Sequence, residues 1–217
     1  IPAPQPALWL WLPGKEPGDR LHQGRALEAL AAPAFTRVQA IDAYRYRDSR
    51  DLTGYEDGTE NPQGDAAVAA AIVQGRGAGL DGASFAAVQQ WLHDFSAFDA
   101  MTRVEQDHCV GRNRDSNEEL DDAPASAHIK RTAQEDFEPP AFVVRRSMPW
   151  TQGADAGLVF LAFGKSLDAF EAQLRRMTGH DDGISDALFR FTRPLGGGYY
   201  WCPPMRDGSV DLAALAP

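Results

Sequence analysis

The chain has 217 residues, of which 43% are hydrophobic and 24% charged. That balance suits a globular domain with a core and excludes disorder, collagen and a long coiled coil as the main architecture. Twenty-one basic residues stand against 31 acidic ones, a formal net charge of −10, which repels a phosphate backbone and an anionic lipid surface and so argues against nucleic acid or membrane as partner. The apolar runs at 7–13 and 157–164 are far too short to span a bilayer. The two cysteines, Cys109 and Cys202, sit in no zinc or CxxC spacing and are read as reduced thiols rather than a disulfide. The sequence opens on Ile1-Pro2 without a Met, so the native N-terminus is expected upstream. The working expectation for compartment is cytoplasmic.

In chain order, 7–12 reads as a buried strand rich in Leu and Trp, 13–20 as a Pro/Gly loop, 21–32 as an Ala/Leu helix and 35–47 as an alternating strand. A strand–helix–strand unit cannot close a sheet by itself. The stretch 51–66 has loop chemistry, with glycines, a proline and several Asx residues. A short Ala-rich helix follows at 67–73, then a strand at 84–92. The next helix is expected over 96–108, with Ser96 and Asp99 as a capping pair. Residues 113–127 read as a polar loop, 141–147 and 157–163 as strands, and 166–177 as a helix capped by Ser166 and stopped by Gly179. A last strand is expected near the C-terminus. From residue 84 the order is strand, helix, strand, strand, helix, strand, which is the split βαβ, ferredoxin-like order. It predicts an α+β fold, an antiparallel sheet with two helices on one face.

Few residues stand out chemically. His128 is a lone histidine in a loop entering a strand; such a residue is commonly a hydrogen-bonded surface group, yet one imidazole suffices as an axial haem ligand. Asp57 lies between Gly54 and Gly58, where an Asx turn is the ordinary use. Arg145 and Arg146 sit side by side in an apolar strand, and neighbours on a strand face opposite ways. One guanidinium must therefore point into the protein, where it needs an anion or a pocket. The acidic run 115–122 lacks the EF-hand spacing and reads as a solvated loop. Nucleotide-binding, hydrolase and metalloprotease motifs are absent.

Taken together, Gly54-Tyr55-Glu56-Asp57-Gly58, His128 in a Ser-Ala-His-Ile-Lys-Arg context, Arg145 at 145 − 128 = 17 residues beyond it, and the C-terminal Phe-Thr-Arg-Pro-Leu-Gly-Gly-Gly-Tyr-Tyr-Trp resemble the dye-decolourising peroxidases, in particular the bacterial B-type members. GxxDG alone is a weak pattern; the four in this order are specific. The resemblance covers about residues 7–205. It implies a two-half ferredoxin-like architecture whose N-terminal half is incomplete here: 1–66 as the remnant of that half plus the GxxDG loop, and 67–217 as the haem-binding half. It implies haem b as cofactor, with His128 as the axial iron ligand and Asp186 as the acceptor that orients its ring. It also implies Asp57 and Arg145 as the catalytic acid–base and charge-stabilising pair, Arg112 on a haem propionate, and Thr59, Asn61 and Ser147 lining the haem pocket.

The function so implied is reduction of hydrogen peroxide coupled to one-electron oxidation of dyes, phenols or similar organic donors, through an oxidised iron–oxo intermediate. A haem carrier for storage, delivery or iron release is the alternative; it has no use for the Asp57–Arg145 pair. A haem-free scaffold is a third reading. A homo-oligomer is expected. Tyr199, Tyr200 and Trp201 are either strand packing or a surface route for electrons, and the C-terminal tail is either a frayed end or a docking peptide for a partner or shell.

Overall fold

The computed structural model describes residues 5–215. The centre is one antiparallel sheet. β1 (Ser84–His93) pairs with β4 (Asp155–Gly164) on one side and β5 (Thr192–Cys202) on the other. β2 (Val144–Arg145) and β3 (Met148–Gln152) both pair with β4 at its outer edge. The spatial order β2/β3–β4–β1–β5 is the ferredoxin-like arrangement, so the element order read from residue 84 onward is borne out. Residues 141–147 do not form one strand: the ladder covers only 144–145 before the chain resumes pairing at 148.

Strand alternation assigns the two faces. Ala87 lies opposite both Ala162 and Tyr199. With Val143 these residues pack on Phe170 of α6 (Asp168–Met177). α6 carries its apolar residues on one side, Phe170 buried and Leu167 and Leu174 against the same cluster, and so it seats flat on the sheet. α3 (Phe95–Asp99), α4 (Arg103–Val110) and α5 (His128–Arg131) come between β1 and β2 in the chain, and α5 packs against α6. The expected helix at 96–108 is two helices. Asp94 caps α3 through the Ala97 amide, and Thr102 with Glu105 forms the capping box that starts α4. Ser96 and Asp99 therefore play no capping part; a second N-terminal signal at 102 restarts the helix three residues after the first one ends.

The opposite face differs from expectation. α2 (Gly64–Ala71) lies on it, with Ala70 and Ala71 buried against Val144 and Phe163, so helices occupy both faces rather than one. Residues 7–12 and 35–47 form no strands. Among the described residues their backbone joins the sheet only at one bridge from Ala43 to Trp150, with the Tyr44 N–H bond to Pro149 O, and Gln39 adds a side-chain bond to Gln90 of β1. Side chains hold 7–12 instead: Trp9 stacks on Tyr200 and Trp11 tilts against Phe163. The Leu/Trp pattern was an apolar face, but it lies across the sheet rather than extending its ladder. Between this segment, α1 (Pro17–Ala31) and the sheet is a cavity of about 1070 Å³. The tail folds as a small hairpin, β6 (Met205–Arg206) and β7 (Ser209–Val210), followed by a 3-10 turn at 213–215. Both cysteines are free.

Candidate active site

The GxxDG segment forms a tight turn. Gly54 and Gly58 both have positive φ, 93° and 82°, which explains glycine at each. Arg50 bridges to Glu56 and its guanidinium also donates to Gly54 O and Arg114 O. Tyr55, buried, donates its hydroxyl proton to Asp107 of α4 at 2.5 Å. Burial and the Asp107 charge push the Tyr55 phenol well above its ordinary value, so it stays a donor. Asp51 accepts from His93 Nε2 at 3.0 Å, and His93 Nδ1 meets Thr192 Oγ1 at 2.8 Å. Burial alone would push the Asp51 carboxyl up; the His93 and Thr53 bonds outweigh it and hold it below the usual aspartate range. His93, Asp51 and Asp107 were not among the residues singled out in the sequence. They are 42 and 52 positions from their partners, so no local spacing marks them.

This anchored turn delivers Asp57, whose backbone N–H bonds Ser49 O at 3.0 Å. Asp57 Oδ1 stands 3.8 Å from Arg145 Nη1. Arg145 is opposite Ala162 and so stands on the α6 face. Its Nε is buried with no partner among the described residues, a donor that wants an acceptor.

His128 begins the one-turn helix α5 rather than leading into a strand. Its placement follows from local packing. α4 ends at Gly111 with φ 95°, and a Cβ there would come within 2.4 Å of Ile129, so only glycine lets α5 approach this closely. The bond from Ala187 N–H to Ser126 O (2.8 Å) draws the 186–190 turn alongside. His128 Nδ1 then donates to Asp186 Oδ2 at 2.7 Å, while Asp186 Oδ1 accepts from Leu188 N–H. The Asp186 side chain is fully buried and that of His128 is 24% exposed. A neutral histidine held this way presents Nε2, which bonds no protein group among the described residues, as a lone-pair donor.

The side chains of the other site residues singled out in the sequence bond protein groups. Arg112 is tied to Glu60 (2.9 Å), Glu119 (2.6 Å) and Asn117 O (2.9 Å), so its charge is already matched by carboxylates. Thr59 Oγ1 accepts from Asn117. The carboxamide of Asn61 bonds the backbone of Arg145 at both N–H and C=O. Ser147 Oγ accepts from Leu161 N–H at 3.3 Å. Tyr199 faces α6, against Phe170 and hydrogen-bonded to Glu171; Tyr200 faces the other way, on Trp9. No cluster of His, Cys, Asp and Glu suited to a bare metal ion occurs among the described residues.

Fold and site together define a ferredoxin-like α+β domain in which a buried carboxylate orients His128 and an Asp–Arg pair stands on the α6 side of the sheet. A family model described as Dyp-type peroxidase, C-terminal, matches residues 48–207. A dye-decolorizing peroxidase of Mycolicibacterium paratuberculosis is 34% identical over 217 residues, covering 88% of this chain and 61% of that protein. One from Mycobacterium tuberculosis is 30% identical, covering 83% and 55%. Among solved structures, a dye-decolorizing protein from V. cholerae superposes with a TM-score of 0.79 at 31% identity, over 87% of this chain and 63% of that one. A DypB variant from Rhodococcus jostii RHA1 in complex with heme gives 0.83 at 28% identity, over 97% and 73%. The chain belongs to the Dyp-type peroxidase family. It spans only about three fifths of the length of the mycobacterial relatives it matches, 61% and 55%.

Proposed function

We propose that this protein binds haem b and reduces hydrogen peroxide while oxidising organic donors such as dyes or phenols. One observation carries the reading. His128 is fixed through Nδ1 by a buried carboxylate, which leaves Nε2 without a protein partner among the described residues, and Arg145, which faces Asp57, has a buried Nε that likewise has no partner among the described residues. This donor set fits haem: an imidazole nitrogen for the iron, the Asp186 carboxylate to keep that imidazole basic, and an unsatisfied cationic donor for an anionic oxygen. Haem bound there supplies the two-electron redox chemistry that peroxide reduction requires.

The chain's own residues do the rest. Asp186 Oδ2 holds the His128 ring in the Nδ1–H tautomer. Asp57 Oδ1 takes the proton from one peroxide oxygen and returns it to the other, so that the leaving oxygen departs as water. Arg145 cannot give up its proton. It stabilises the charge that develops on the leaving oxygen. Arg112, committed to Glu60 and Glu119, is not needed as a propionate ligand in this scheme.

The test is haemin titration followed by peroxide and a phenolic donor. The unaltered protein should give a Soret band and turnover. Asp57→Asn combined with Arg145→Leu should keep the band and lose turnover. Full turnover in that double variant, or no haem uptake by the unaltered protein, would overturn the proposal.

A further inference from the structure

Asn61 lies four residues beyond Asp57 and makes two bonds to a single residue far along the chain. Arg145 N–H donates to Asn61 Oδ1 at 2.7 Å, and Asn61 Nδ2 donates to Arg145 O at 3.0 Å. β2 is only two residues long and pairs with β4 alone. The carboxamide of Asn61 thus occupies the position where a further strand would bond, on the free edge of β2. It joins the turn that carries Asp57 to the backbone of the residue whose guanidinium faces Asp57.

The direct Asp57–Arg145 separation of 3.8 Å is too long for a hydrogen bond, so the two charged groups do not fix their own spacing. The backbone must. Asn61 is placed for this by its own turn, in which its N–H bonds Gly58 O at 3.1 Å. Gln134 braces the same two segments: its Nε2 donates to Glu60 O at 3.0 Å and its Oε1 accepts from Val143 N–H at 2.9 Å.

We propose that Asn61 is the positioning residue of the Asp57–Arg145 pair, setting their spacing by clamping the Arg145 backbone, with Gln134 as a second strut. This rests on the peroxidase reading for its consequence, but the clamp itself can be measured without it.

The variants are Asn61→Ala, which removes both bonds, and Asn61→Asp, which keeps the acceptor for Arg145 N–H and loses the donor. In the haemin-loaded protein, hydrogen exchange over 143–146 should speed up about tenfold in Asn61→Ala, the worth of one lost hydrogen bond, while β1 and β4 stay protected. Asn61→Asp should recover most of that protection. The rate of reaction with peroxide should fall about 100-fold in Asn61→Ala, the scale of a misplaced catalytic group, with the donor KM unchanged. In an Asp57→Ala background the same change should cost less than about twofold, because the positioned group is gone.

Unchanged exchange over 143–146, or an exchange rate in Asn61→Asp equal to that in Asn61→Ala, would overturn the clamp. Full additivity with Asp57→Ala would overturn its positioning role. If Asp57→Ala itself left the peroxide rate intact, the peroxidase reading would fail while the exchange measurement still judged the clamp.

Discussion

At the scale of single residues, the bond between His128 and Asp186 carries the most consequence. Asp186 has no exposed side-chain surface and uses both oxygens, one on His128 Nδ1 and one on the Leu188 amide. An asparagine would keep the size but remove the charge that raises imidazole basicity. Outer partners of this kind typically alter metal affinity or activity by about 10- to 100-fold. Asp186→Asn is therefore expected to weaken haemin binding by that amount in a Soret titration, with the fold retained by circular dichroism; unchanged affinity would mean that the carboxylate does not tune the ligand. The residue scale is also where the sequence was most legible. Asp57, His128, Arg145 and Asp186 were named from motif resemblance, and the structure sets Asp186 on His128 and Asp57 near Arg145. Asn61, Thr59 and Arg112 were named on the same ground, yet their side chains bond protein groups. A motif reports which residue type occurs at a position; it does not report whether the side chain there faces a ligand or a backbone carbonyl.

At the scale of elements, the 48–61 turn is held by partners that local spacing does not reveal. Its entry is fixed by Asp51 on His93 at the ends of β1 and β5, its middle by Tyr55 on Asp107, and its exit by Asn61 on β2. The Asp51 carboxyl is held below its ordinary value. A depressed folded-state pKa means that the stabilisation is fully present above the unfolded aspartate value, about 3.9, and is lost as pH falls through the lower folded value. The stability difference between the unaltered protein and Asp51→Asn, read as urea midpoints, should accordingly be constant from pH 7 to about 5 and shrink below about 4. A difference that fails to shrink below about pH 4 would contradict the depressed Asp51 carboxyl. Elements with a one-sided apolar pattern, β1 and α6, were legible because burial on one face imposes the period. The break between α3 and α4 was obscured because 96–108 keeps helical spacing across it; Thr102 with Glu105, a better capping box than Ser96 with Asp99, was the missed signal.

At the scale of the whole molecule, the two faces of the sheet are covered unequally. The α6 face has a packed core of Ala87, Val143, Ala162 and Phe170. The other face carries α2 near β2 and, beyond it, the extended segment around Trp9 and Trp11 with α1 above the cavity. None of the fifteen residues of α1 is buried, and Leu21 and Leu30 are 61% and 78% exposed. The contact from Arg37 to Glu28 joins two exposed side chains and contributes little. An isolated helix of this length is marginal in water. The Ala/Leu composition that predicted a helix at 21–32 was thus right about local propensity and silent about packing, and the strands expected at 7–12 and 35–47 failed because the first pairs with no strand and the second meets the edge of β3 at a single bridge only. The consequence is a gradient of local stability across the molecule. Limited trypsin digestion should cut first at Arg20, Arg25 or Arg37, and the fragment holding β1 to β5, with Arg112, Arg131 and Arg145 inside it, should persist, because its backbone is held in the central sheet and the elements packed on it whereas α1 has no buried residue. First cuts at those three positions, with α1 intact, would show that the helix is held more firmly than its exposure implies.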